Sequence, residues 1–318
     1  MSRHLPSAQA FLTFPDGDRS PLSIRAKALV FVDPRSQALR ERMEVLAATT
    51  LPVLIQGETG TGKELLARHL HKGSDRPGLF VPVNCGALSP AHAHAELFGH
   101  ISTASPGSAA SRAGWFGSAN GGTLYLDEIA DLSLPLQATL LEALENHEVV
   151  RVGASQPMPV DVRLVAASSI DLSLAVAAGK FNPRLWQYLV EGRLALPALR
   201  ERPGDIVPLA DYFLGIYSQR LNLPVPAFSE ASAQLLLAHS WPGNTRELEN
   251  VVHFALLLSE GEDILPVHLH QAGLADPIAA LEQQLRQCFE VASVQNQQTA
   301  LRLIARYAPM LEKNYKQL

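Results

Sequence analysis

The residues of this chain best suited to chemistry are one lysine and two acids. Lys63 closes the run GETGTGK at positions 57–63, which fits the G-x-x-x-x-G-K spacing of a phosphate loop. Glycines so spaced leave backbone N–H groups free to wrap phosphate oxygens, and a helix starting just beyond adds the positive end of its dipole. The lysine brings a point charge to the terminal phosphates. Asp127 and Glu128 close the apolar run Leu124, Tyr125, Leu126. Phosphoryl transfer needs one carboxylate near a metal and another to activate water. Consecutive residues at the carboxyl end of a strand project differently and supply both. Neither motif is decisive alone; together they predict a nucleoside triphosphate site. One position is unusual: Glu64 follows Lys63, where a Ser or Thr commonly meets magnesium.

Such groups need a parallel sheet to carry them, because ligands bind at the carboxyl ends of the strands in open α/β sheets. Residues 53–56 read as a strand feeding the phosphate loop, and residues 64–72 as the helix beyond it. Further strands are expected over residues 79–85, 121–129 and 162–168, with helices over 36–48 and 135–147. The alternation predicts a three-layer α/β core, and a first strand apolar on both faces suits a parallel arrangement. Near residues 197–205 the pattern changes. Residues 206–221, 229–239 and 245–259 all read as helices, with WPGN breaking the last pair, so a small all-α domain is expected. The predicted organisation is an irregular segment 1–26, an α/β domain 27–202, a helical domain 203–264, a linker 265–277 and a terminal helical region 278–318.

Composition narrows the setting. The 318 residues, 47% hydrophobic and 18% charged, suffice for more than one buried core. No run of eighteen apolar residues occurs and the first residues lack a signal-peptide pattern, so no membrane segment is expected. Two cysteines, Cys85 and Cys288, cannot build a disulfide framework, and a cytoplasmic setting is the plain reading. With a net charge of −5, any nucleic-acid contact must come from a local patch. His92, His94 and His100 are neighbours in sequence, but helical spacing does not bring all three together as metal ligands. Cys85 reads as a buried inert thiol.

The motifs GETGTGKELLARHLH, VNCGAL, AELFGH, AGWFGSANGGTLYLDEI, VDVRLVAAS, LPALRERPGDI and WPGNTRELEN resemble the central ATPase module of bacterial enhancer-binding proteins. These are the AAA+ activators of sigma-54 RNA polymerase, and the resemblance runs from about residue 28 to 262. Glu is usual after the loop lysine in that family, which accounts for Glu64. The resemblance implies a three-layer P-loop AAA+ core, a small all-α domain and a C-terminal Fis-like helix-turn-helix region. It implies ATP and Mg2+ as cofactors. Gly57, Glu58, Thr59, Gly60, Thr61, Gly62, Lys63 and Glu64 would bind ATP, with the segment Ala119, Asn120, Gly121, Gly122, Thr123, Leu124, Tyr125 and Leu126. Asp127 would order magnesium and Glu128 would position the attacking water. Asn84 would hold Glu128 while nucleotide is unproductive, and Arg246 would sense the γ-phosphate. The implied partners are further copies of the chain in a hexameric ring, the sigma-54 holoenzyme, and DNA.

The departures from that family bear on function. Its polymerase-contacting GAFTGA loop aligns with Thr103, Ala104, Ser105, Pro106, Gly107 and Ser108, so Ser105 replaces the aromatic and Pro106 the threonine. Proline also fixes the backbone and removes a donor, and loss of ordinary sigma-54 contact is expected. The family's FRxDLxxRL segment, whose two arginines reach a neighbouring subunit's ATP, reads FNPRLWQYL, with Asn182 and Tyr188 at those positions. Arg184 is then either a displaced finger or a plain surface arginine. Ser169 stands where an Asn helps orient water. ATP binding with slow turnover is expected. In the terminal region Arg302, Arg306, Lys313 and Lys316 offer phosphate contacts, or else mark the charged face of a helix that dimerises. The 26 residues before the module leave no room for a receiver domain, so regulation is expected from expression level, a partner or nucleotide. Two readings stand: an ATP-hydrolysing remodeller of the sigma-54 holoenzyme, and an ATP-dependent regulator that does not drive open-complex formation.

Overall fold

Val53, Leu54 and Ile55 have no exposed surface on either face, as a strand inside a parallel sheet requires. The computed structural model describes residues 11–13 (as backbone), 28–101 and 111–274. In order the elements are β1 (Phe11–Thr13), β2 (Ala28–Val30), α1 (Pro34–Ala47), β3 (Val53–Gln56), α2 (Lys63–Lys72), β4 (Phe80–Asn84), α3 (Ala93–Phe98), α4 (Gly114–Ser118), β5 (Thr123–Asp127) and α5 (Leu134–Asn146). Then come β6 (Glu148–Val149), β7 (Met158–Pro159), β8 (Arg163–Ser168), α6 (Leu172–Ala177), α7 (Pro183–Val190) and β9 (Arg193–Ala195). The helices α8 (Ile206–Leu221), α9 (Glu230–Ala238), α10 (Asn244–Ser259) and α11 (Pro266–Gln271) follow.

The central sheet has the order β4-β5-β8-β3-β9, all parallel. Side chains alternate across it with period two. Leu54, Leu124, Leu126 and Leu164 face one layer with Leu140 and Leu144 of α5 and Leu185 of α7. Val53, Ile55, Tyr125 and Val165 face the other with Met43 of α1 and Leu66 of α2. The three-layer α/β core expected from the sequence is present. Helix α1 starts where Asp33 accepts a hydrogen bond from the N–H of Arg35, with Pro34 in the first turn. Its last carbonyls, at Leu46 and Ala47, accept from the buried guanidinium of Arg163, which ties the helix end to β8.

A third core belongs to the helical unit: Leu209, Phe213, Trp241, Leu248, Val252 and Leu256, joined by Ala28 and Val30 of β2. Strand β1, in a stretch expected to be irregular, pairs antiparallel with β2. The expected linker 265–277 instead contains α11, whose Leu269 is fully buried, with Leu274 beyond it, in the helical core. Two leucines five residues apart suffice for that packing, and the surrounding Pro and His residues mask them in sequence. Strand β9 was also unanticipated; only Leu194 of its three residues is buried, too short a signal to read. The loop residues 103–108 and the region 278–318, with Arg302, Arg306, Lys313, Lys316 and Cys288, lie outside the described residues. Among the described residues no helix is long and apolar enough to cross a membrane.

Candidate nucleotide site

Strand β3 delivers the phosphate loop to the carboxyl end of the sheet, and α2 begins at its last residue. Gly60 and Gly62 turn the loop with φ of 83° and 105°, a backbone region open to glycine and strained for other residues. A Cβ at Gly60 would also collide with the Gly243 carbonyl. Gly62 is the N-cap of α2 and offers no side-chain cap, so the positive end of the helix is left for a ligand. Lys63 is buried. Its ammonium donates to the carbonyls of Gly57 at 2.9 Å and Glu58 at 3.5 Å and to Glu128 Oε1 at 3.2 Å.

The two acids at the end of β5 do diverge. Asp127 accepts from the Tyr125 hydroxyl at 3.0 Å, two residues back on the same face. Burial pushes the Asp127 carboxyl above its ordinary value, opposed by that hydrogen bond and by Lys63. Burial, with Asp127 alongside, pushes the Tyr125 phenol up. Glu128 leaves the strand with a left-handed backbone, and its Oε2 accepts from the N–H of Ser169 at 2.8 Å and from the Ser169 hydroxyl at 2.9 Å.

The helical unit closes the site from the other side. Asn244, fully buried, donates from Nδ2 to Glu58 Oε2 at 3.0 Å and to the Thr59 carbonyl at 3.1 Å, while its Oδ1 accepts from Leu199 N at 2.8 Å. Arg200 pairs with both oxygens of Glu58. The Arg200 and Asn244 hydrogen bonds hold the Glu58 carboxyl down at about 2. Arg246 N donates to the Gly60 carbonyl at 3.3 Å. A cavity of about 170 Å³ results, lined by Thr59, Gly60, Gly62, Lys63, Glu64, Tyr125, Asp127, Glu128, Thr245, Arg246 and Glu249, with Ala28 and Leu65.

Sequence reading thus converges on this cavity for Lys63, Asp127, Glu128 and Arg246, and for Thr59, Gly60, Gly62, Glu64 and Tyr125. Other expected residues fall elsewhere. Gly57 and Glu58 line a neighbouring cleft with Ser169 and Arg193, and Thr61 is buried, donating to the Glu58 carbonyl at 2.7 Å. Ala119, Asn120, Gly121, Gly122, Thr123, Leu124 and Leu126 do not line the cavity: the first six lie toward the amino end of β5 or before it, and Leu126 faces the opposite layer. At about 3.3 Å per residue Thr123 sits about 13 Å from Asp127. Its hydroxyl pairs instead with His71 Nδ1. Asn84 is not a partner of Glu128 in this structure; its Oδ1 caps the short turn after β4, accepting from Gly86 N at 3.0 Å. Glu64 is ion-paired with Arg68 at 2.8 Å, one helical turn on.

Asn182 caps α7, accepting from the N–H groups of Arg184 and Leu185, and Tyr188 is half-buried against the core. Arg184 is 71% exposed and pairs with Glu145. Burial pushes the Cys85 thiol up, consistent with an inert residue. The residues sequence reading missed are Asn244, Thr245, Glu249 and Arg200. For Asn244 a signal existed: an Asn after Pro-Gly and before an apolar-periodic run suits the left-handed φ of 53° that it adopts.

The sigma-54 interaction domain family matches residues 29–195, and the AAA+ ATPase lid domain family matches residues 200–284. The "Sigma54-dependent transcriptional activator SfnR" of Pseudomonas putida is 52% identical over 248 residues, which is 77% of this chain and 68% of that protein. The "Sigma54-dependent transcriptional regulator SfnR" of Pseudomonas fluorescens (strain Pf0-1) is 44% identical over 293 residues, 88% of this chain and 80% of that one. Among solved structures, NtrX from Brucella abortus in complex with ATP aligns with a TM-score of 0.68 at 31% identity, over 88% of this chain. The NtrX complex with ADP gives 0.69 at 32% identity, over 76% of this chain. The chain spans 63% and 55% of those two NtrX chains. Sheet and helical cap match consecutive parts of one architecture, and the chain belongs to the AAA+ ATPases that carry the sigma-54 interaction domain.

Proposed function

We propose that the chain binds ATP with Mg2+ in the cavity between sheet and helical unit and regulates sigma-54-dependent transcription with slow hydrolysis. The observation that carries this reading is the convergence of Lys63, Asp127, Glu128 and Arg246 on one cavity. Lys63 donates to three oxygens there, and a triphosphate offers it better ones. Mg2+ takes one or two carboxylates besides phosphates and water, and Asp127, with Tyr125 steadying one of its oxygens, fits that demand. The metal would neutralise charge on the phosphates. Glu128 is the group to orient water: the water oxygen bonds to the γ-phosphorus as the bond to the β,γ-bridging oxygen breaks, leaving ADP, phosphate and one released proton. Slow turnover follows from positions 182 and 188, since an arginine supplied in trans is worth about 10³–10⁵ in rate.

The partners that fit are further copies in a ring, hexameric if family-like, the sigma-54 holoenzyme, and DNA through residues 278–318, in the cytoplasm. The α/β unit is assigned to residues 27–202; the helical unit, assigned 203–264 on sequence, extends through α11. One observation favours the motor reading: the loop lysine and both strand-end acids are all retained. ATPase rate measured against protein concentration, with and without sigma-54 holoenzyme, separates the two. The regulator reading expects ATP binding with a slow rate that sigma-54 does not raise. A rate climbing with concentration to that of an intact family motor would sink it.

A further inference from the structure

A cavity of about 460 Å³ opens between α3 and α4 and shares no lining residue with the nucleotide site. Backbone alone fixes its base. Gly99, after α3, and Gly114, at the start of α4, hold positive φ of 87° and 69°, and a Cβ at Gly114 would collide with Gly99 N. Next to that crossing, His100 N donates to the Arg112 carbonyl at 3.0 Å and Arg112 N to the His100 carbonyl at 2.9 Å, with Val152 on the other side of His100. Two residues that exchange both bonds in this antiparallel way stand about 5.5 Å apart with their side chains on the same side. Neither head group finds a partner. His100 Nε2 is buried without a hydrogen bond, and among the described residues the Arg112 guanidinium makes no hydrogen bond or ion pair. A buried ring nitrogen in that state costs free energy until a ligand or water meets it. Trp115, 40% exposed, lines the same cavity, and the exposed Glu96 lines it from α3.

We infer that this cavity is a binding site for a small organic monoanion with a flat apolar body, an aromatic carboxylate in chemical class. Arg112 offers its planar fork to the two carboxylate oxygens, and His100 donates beside it in the tautomer that carries its proton on Nε2. The ring of the ligand stacks on the Trp115 indole. Two adjacent nitrogen head groups with no acid between them suit an anion rather than a cation, and among the described residues no three His, Cys, Asp or Glu side chains gather to hold a metal. Glu96 sharpens the choice, because its carboxylate repels a second negative charge and so disfavours phosphate and nucleotides. The site is independent of the ATP-site reading, since neither its residues nor its geometry involve the phosphate loop.

The test titrates the full chain calorimetrically, at fixed ionic strength, with benzoate, phenylacetate, salicylate and indole-3-carboxylate, and with acetate and inorganic phosphate for comparison. At least one aromatic carboxylate is expected to bind one per chain with a dissociation constant below about 1 mM, and acetate and phosphate at least about tenfold more weakly. Arg112→Ala, at an exposed position, should weaken that binding at least about tenfold. Trp115→Ala should weaken it about fivefold, and Trp115→Phe, which keeps a ring, should recover most of that loss. Lys63→Ala, in protein that still melts cooperatively, should leave the affinity within about twofold. The inference is overturned if none of the four aromatic acids binds below about 1 mM, or if phosphate or acetate binds as tightly as they do. Unchanged affinity in Arg112→Ala or in Trp115→Ala overturns it as well. So does loss of binding in Lys63→Ala, which would put the anion on the phosphate loop instead.

Discussion

Replacing Asn244 by alanine should loosen the grip of the helical unit on the phosphate loop, by an amount that the geometry sets. The side chain is fully buried and makes three hydrogen bonds: to Glu58, to the Thr59 carbonyl and from Leu199 N. Alanine removes all three and strands the Leu199 N–H without a partner. Two neutral bonds at about 1 kcal/mol each and one to a carboxylate at about 1.5–3 set the upper bound. The Glu58 side chain is 42% exposed, so water recovers part of the charged bond. The left-handed φ of 53°, which Asn tolerates, adds about 1 kcal/mol of strain for alanine. A loss of about 3 kcal/mol is expected, which lowers the melting temperature by about 6–10 °C for a chain of this size. Affinity for ATP falls as well, because Arg246 hangs on the same helix start. Thermal melts and titration with a fluorescent ATP analogue read both. Asn244→Asp keeps size and backbone tolerance but sets a second carboxylate against Glu58. It should be at least as unstable at neutral pH and recover as pH falls toward about 4, where one carboxyl takes a proton. A melting point for Asn244→Ala within about 2 °C of wild type would refute the reasoning.

Restoring both family arginines, Asn182→Arg with Tyr188→Arg, should raise ATP turnover in assembled protein; an unchanged steady-state rate in protein shown to be hexameric counts against the missing-finger explanation. Glu58 offers a pH test. Its carboxyl is held down from 4.5 to about 2, so its stabilising contribution is full above 4.5 and fades as pH falls toward 2. The melting-temperature gap between wild type and Glu58→Gln should therefore shrink on acidification through that window, and a gap that stays constant rejects the clasp. Arg163→Met should lower stability by about 2–4 kcal/mol, since it strands the last carbonyls of α1, measured by denaturant unfolding; a loss under about 0.5 kcal/mol would show that water replaces it.

The parallel sheet was legible because its strands are apolar at nearly every position and lie between glycine-rich turns, a pattern few other arrangements produce. Lys63, Asp127 and Glu128 were legible for the same reason, since each is anchored to a strand end whose direction is fixed. What escaped was set by contacts across the chain. Asn244 reads as part of a break, and only its distance-spanning bond to Glu58, 186 positions away, gives it a role. The stretch 119–126 was placed at the ligand by motif rather than by geometry; of its residues only Tyr125 lines the cavity, while Leu126, though next to Asp127, faces the opposite layer of the core. Residues 265–274 looked like a linker because burial of Leu269 and Leu274 depends on a groove that other helices make. Asn84 was assigned to Glu128 by family position, while in this structure the carboxylate accepts from Lys63 and twice from Ser169.

On the proposed reading, binding and turnover draw on different groups. The cavity proposed for the nucleotide is lined in this chain by the loop, the strand-end acids and the start of α10. The groups that speed hydrolysis in the family come from a neighbour, and at those two positions this chain uses its residues on itself. Asn182 caps α7 through two backbone N–H groups, a contribution of about 1 kcal/mol to its own helix, and its N–H donates to Gln137 Oε1 at 2.7 Å. Tyr188 lies half-buried on the core beside Glu145, with no cation to extend. A side chain folded into its own helix start cannot also reach across a subunit boundary. On the proposed reading, assembly alone would therefore bring copies together without an arginine at positions 182 and 188, and turnover would stay slow.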